Sequence, residues 1–184
     1  GSVVAVAAGE RLTERQALAA MLLPSANNMA DTLAVWAFGS LSAYVQAANQ
    51  LAEQLGMEKS YFSDPSGFSP ATTSTAADLV KLGAAALKQP VLATIVNLKS
   101  ISLPVAGTVT NTNFLLGQNG IIGIKTGNTD EAGGCYLFAA RVAIPGQTDT
   151  ILAIGAVMGA INLRTAMTDS NTLLSSLATN LTET

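Results

Sequence analysis

The period of the apolar residues changes once along this chain, and that change limits the possible folds more than any other feature. Up to about residue 87 hydrophobic side chains recur at helical spacing, whereas beyond residue 100 they fall in short β-rich runs. Thr13-Glu14-Arg15-Gln16 reads as a capping box opening a helix that carries Leu18, Met21 and Leu22, and Pro24 stops it. Ser25 stands where a side-chain oxygen would cap a second helix over 27–38. After Gly39-Ser40, the residues Leu41, Tyr44, Val45, Ala48, Leu51, Ala52 and Leu55 share one face of a third helix, with Gly56 at its C-cap. Residues 58–73 are rich in Ser, Pro, Gly, Asp and Thr and form a loop around the turn Asp64-Pro65-Ser66-Gly67.

Ser74 or Thr75 caps a fourth helix that runs to Leu87 and is closed by Pro90, and 91–96 adds a further turn or two. The pattern over 100–110 is strand-like with a reversal at 104–107. Runs at 121–125, 135–143 and 150–158 predict an antiparallel meander, with the turn Pro145-Gly146-Gln147-Thr148-Asp149 between the last two. A last helix over 163–177 places Leu163, Ala166, Met167, Leu173, Leu174 and Leu177 on its apolar side. The expected class is α/β of the α+β kind, mostly helical over about 10–119 and sheet plus one helix over 120–184.

Composition narrows the function. At 184 residues, 49% apolar and only 11% charged, the chain has the makings of one domain with a large core, which excludes wholesale disorder. A net charge of −3 with dispersed basic residues gives no nucleic-acid face. The most apolar stretch, 151–163, is too short for a membrane span and carries two glycines. The single cysteine, Cys135, reads as a small buried residue of a strand. Histidine is absent, which removes Ser-His-Asp and Cys-His chemistry and imidazole zinc sites. Acyl-transfer chemistry here must use lysine or a carboxylate as its base; no metal or cofactor is implied.

Two tripeptides stand out, Ser25-Ala26-Asn27 at a helix start and Lys125-Thr126-Gly127 at a strand end. Each alone is weak, since a serine before a helix is most often a cap. Together, with Phe62-Ser63-Asp64-Pro65-Ser66-Gly67, Ser74-Thr75-Ala76-Ala77-Asp78-Leu79, Asn111-Thr112-Asn113-Phe114-Leu115-Leu116 and Gly123-Ile124-Lys125-Thr126-Gly127-Asn128-Thr129, the chain resembles the serine-type D-alanyl-D-alanine carboxypeptidases of the low-molecular-weight penicillin-binding group. The resemblance runs from about residue 9 to 158.

It implies a DD-peptidase/β-lactamase-like fold, a helical part plus an antiparallel sheet flanked by helices. It implies that Ser25 relays a proton between the base and the leaving amine, and that Asn27 holds the peptide or the base lysine. Lys125 would supply positive charge and Thr126 a hydroxyl to the substrate's terminal carboxylate. The Asn128 N–H would be an oxyanion donor, and Gly127 would let the substrate backbone come close. The partners implied are peptidoglycan stem peptides ending in D-Ala-D-Ala, and β-lactams, met outside the cytoplasm.

The family's nucleophile and base lie in a Ser-x-x-Lys element upstream of Ser-x-Asn. Three residues before the lysines of this chain stand Gly56, Asp78, Ala85, Val96 and Ile122, none of them serine. The chain is therefore expected to be the C-terminal portion of one catalytic domain, without the N-terminal strands and nucleophile helix. It should be inactive alone, with an open sheet edge and apolar surface that the missing segment or a second copy would cover. Two alternatives remain: a class A-like β-lactamase, whose Glu-x-x-Leu-Asn context no acid between the tripeptides provides, and a catalytically silent peptidoglycan-binding homologue.

Overall fold

The computed structural model describes residues 1–144 and 148–180. The turn expected at 145–149 thus lies partly outside the described residues. Helices α1 (Glu14–Leu22), α2 (Asn27–Phe38), α3 (Leu41–Gln54), α4 (Ala76–Leu87) and α5 (Pro90–Val96) precede a hairpin, β1 (Ser100–Leu103) and β2 (Gly107–Thr110). Strands β3 (Ile121–Thr129), β4 (Gly133–Ala143) and β5 (Thr150–Ala160) form an antiparallel sheet in the order β3-β4-β5, and α6 (Leu163–Asn180) follows. The fold is α+β.

Local signals account for most boundaries. Thr13 caps α1 and Gln16 reaches back to complete the capping box. Ser40 and Thr75 cap α3 and α4 through their side-chain oxygens. Gly39 and Gly56, both at positive φ, let the chain leave α2 and α3 in the left-handed conformation that glycine tolerates. Pro90 was expected to close α4, but it opens α5 as its first residue, where the missing N–H costs nothing.

The sheet separates two apolar layers. Tyr136, Phe138, Ala140 and Val142 alternate along β4 onto the side covered by α6, where Ala166, Met167 and Leu174 meet them together with Leu115 and Ile121. Leu173 was expected on that apolar side but is 52% exposed, one position round the helix from Leu174. On the opposite side Val96, Ile124 and Ala139 pack with Leu87, Leu137 and Ile154, bringing α4 and α5 onto the sheet. The helical part buries mainly small residues, Ala17, Ala19, Ala20, Ala26, Ala30 and Ala34. Of the third helix's predicted face only Ala52 is buried, while Leu41 and Leu51 remain exposed.

Candidate active site

Three segments converge on one cleft: the turn between α1 and α2, the loop ahead of α4, and strand β3. Ser25 does not cap α2, as its position suggested; Ala26 is the N-cap residue and no side chain caps that end. The reason is backbone geometry. Ser25 sits at φ 63°, a left-handed conformation that costs a non-glycine residue roughly 1 kcal/mol or more, and its hydroxyl turns to β3 instead of the helix terminus.

There it meets Lys125, whose Nζ donates to Ser25 Oγ at 2.7 Å and to the Thr126 carbonyl at 2.8 Å. An ammonium has three protons, so one remains for a further acceptor in the cleft. Burial lowers the Lys125 pKa from 10.5 to about 8, because a charged amine loses hydration there. Lys125 is thus easier to deprotonate than an exposed lysine, and because Ser25 accepts from it, Ser25's own O–H stays available for a third group.

Thr126 is 6% exposed, and its Oγ1 lies 2.6 Å from Thr112 Oγ1. On β4, Leu137 stands opposite Lys125 and Cys135 opposite Gly127, and all four line the cleft. Cys135 is thus half-buried at the site and not the core residue expected from its strand. A Cβ on Gly127 would meet only Cys135 Cβ, at 3.8 Å, so packing does not require glycine there; a side chain would fill cleft space. Asn128 is exposed further along the same cleft, with Phe68, Asp130 and Glu131 nearby. Asn27 lines the cleft as the first residue of α2.

One wall is the loop 64–67, knotted around a carboxylate. Asp64 accepts from the N–H groups of Ser66 and Phe68 at 3.2 and 3.1 Å and from Thr72 Oγ1 at 2.9 Å. Burial alone would raise the Asp64 pKa, but these donors outweigh it and hold the group below its ordinary value. A second carboxylate, the buried Asp78, accepts from Ser60 Oγ and the Lys59 N–H and fixes the start of α4 behind this loop. Sequence reasoning assigned no role to Asn28, which ties the chain's first residues to α2 by exchanging two hydrogen bonds with the Val4 backbone. Thr112 was also unassigned, although the Asn111-Thr112-Asn113 stretch carried the resemblance.

Residues 1–162 match the profile of peptidase family S11, D-alanyl-D-alanine carboxypeptidase, and the chain belongs to that family. Among curated relatives it is 32% identical over 162 residues to the D-alanyl-D-alanine carboxypeptidase of Streptomyces sp. strain K15, covering 79% of this chain and 56% of that protein. It is 35% identical to the D-alanyl-D-alanine carboxypeptidase DacB2 of Mycobacterium tuberculosis, covering 74% and 49%. The chain thus spans about half the length of the curated relatives it matches. The crystal structure of the Streptomyces K15 DD-transpeptidase superposes with a TM-score of 0.85 at 26% identity, covering 95% of this chain and 71% of that one. Penicillin-binding protein D2 of Listeria monocytogenes, in its cefotaxime-bound form, gives 0.78 at 28% identity with coverage of 95% and 71%.

Proposed function

We propose that the protein to which this chain belongs is a serine-type D-alanyl-D-alanine carboxypeptidase, removing the terminal D-alanine of peptidoglycan stem peptides outside the cytoplasm and acylated by β-lactams. The observation that carries the reading is the 2.7 Å contact between Lys125 Nζ and Ser25 Oγ, which joins two tripeptides 100 residues apart in sequence. In this reading the nucleophile and its base come from a Ser-x-x-Lys element outside the 184 residues. The serine attacks the penultimate carbonyl, D-alanine leaves as the amine takes a proton relayed through Ser25, and water then releases the acyl group. Lys125 and Thr126 bind the terminal carboxylate, the Asn128 N–H supports the oxyanion, and Asn27 orients the peptide.

Relatives carrying the D-alanyl-D-alanine carboxypeptidase name and a cefotaxime-bound structural neighbour support this reading over a β-lactamase. The test compares D-alanine release from an acyl-D-Ala-D-Ala peptide with cephalosporin turnover by the full-length gene product. The reading expects release of D-alanine and a long-lived cephalosporin adduct. Rapid multiple turnover of cephalosporin without D-alanine release would favour the β-lactamase, and neither activity the silent homologue.

A further inference from the structure

Thr112 joins the two halves of the site. Its N–H and its hydroxyl lie 3.0 and 3.1 Å from the carbonyl oxygen of Leu23, two residues before Ser25, and the same hydroxyl lies 2.6 Å from Thr126 Oγ1. One oxygen therefore touches both the turn that carries Ser25 and the strand that carries Lys125.

In the free site the Thr112 hydroxyl can donate to the Leu23 carbonyl and either threonine can donate to the other, but a bound carboxylate sets the polarity of this contact. A threonine hydroxyl has one proton to give. The Leu23 carbonyl is already served by the Thr112 N–H, and the Thr126 oxygen is the nearer acceptor, on a side chain almost closed to water. A carboxylate arriving at Thr126 has no proton to offer, so Thr126 must donate to it and can then only accept from Thr112. The resulting chain, Thr112 O–H to Thr126 O–H to carboxylate, has every proton pointing the same way, so each bond polarises the next.

We propose that Thr112 is a positioning residue for the substrate's terminal carboxylate. With a carboxylate bound, its hydroxyl donates to Thr126 Oγ1 and aims the Thr126 hydroxyl into the cleft, while its backbone N–H on the Leu23 carbonyl keeps the Ser25 turn in place against β3. This rests on the reading of Lys125 and Thr126 as a carboxylate pocket.

The experiment measures kcat/KM of the full-length gene product for an acyl-D-Ala-D-Ala peptide and for its C-terminal amide. Thr112→Val keeps the shape and loses the hydroxyl; the expected result is a fall of about tenfold for the acid and little change for the amide. Thr112→Ser should restore the acid to near wild-type values. In a Thr126→Val background Thr112→Val should add no further loss, because the effect passes through Thr126. Should Thr112→Val not fold by thermal melting, Thr112→Ala carries the same comparison. Equal losses on acid and amide, no rescue by serine, or additive losses in the double variant would each overturn the proposal. Failure of the underlying reading looks different: wild type itself would not distinguish acid from amide.

Discussion

Lys125 is the residue on which the proposed chemistry most depends, and its lowered pKa makes that dependence measurable. With a folded value of about 8, the cation that would hold a carboxylate is present below pH 8 and lost above it. Binding of a D-Ala-D-Ala ligand should therefore weaken as pH rises through about 8, and a Lys125→Met variant should bind poorly and without that pH dependence; a profile flat to pH 10 would contradict this. Stability carries the opposite sign. Below pH 8 both folded and unfolded chains keep the proton, but between about 8 and 10.5 only the unfolded chain does, so stability rises with pH across that window. Denaturant titrations at pH 7.5 and 10 should show this rise in the wild type and a smaller one in Lys125→Met. Residue identities at the site were legible because the two tripeptides are short and local. Ser25's role was read only through resemblance: on local grounds alone it was a helix cap. The positive φ that turns it toward Lys125 comes from tertiary contact, which no propensity encodes.

At the scale of elements, the sequence pattern anticipated every described helix and strand, because caps, prolines and apolar period act within a few residues of one another. What it placed less well were the strand ends. β3 runs on to Thr129 and β4 begins at Gly133, beyond the apolar runs, since pairing across the sheet extends them through residues with little strand propensity of their own. Gly134 shows why those added residues matter. It pairs with Asn128, and a Cβ there would lie 2.0 Å from the Asn162 carbonyl oxygen and 2.6 Å from the Leu163 nitrogen, at the start of α6. Backbone cannot yield as a flexible side chain would. Gly134→Ala should therefore destabilise by about 1–3 kcal/mol, the cost of overpacking, and loosen the end of the cleft strand. A melting temperature equal to wild type would show that α6 does not press on β4 as described.

For the whole molecule, the distribution of exposed apolar surface is uneven. Trp36 is 68% exposed, with Val35, Phe38 and Leu41 open beside it on α2 and α3, and Tyr44 meets Phe38 edge-on at 5.6 Å. Among the described residues β5 pairs with β4 alone, leaving a long edge with Leu152 open. The cleft itself has an apolar floor of Met21, Leu22, Leu79, Leu82 and Leu137 beside Ser25 and Lys125. Surfaces of this kind are usually covered, so the 184-residue chain alone should self-associate or melt with low cooperativity; sedimentation of a monomer with a sharp thermal transition would contradict that. The expectation of open apolar surface comes from the missing Ser-x-x-Lys element, whereas the location of the exposed patch on α2 and α3 depends on how those helices pack and was not legible in the sequence. The central claim, that Ser25 and Lys125 serve a nucleophile outside these residues, meets its most direct test in mapping the covalent penicillin adduct of the full-length gene product by mass spectrometry. The account predicts one labelled serine, outside the 184 residues and three positions before a lysine. A label on Ser25 or any other residue of this chain, or no label at all, would contradict it.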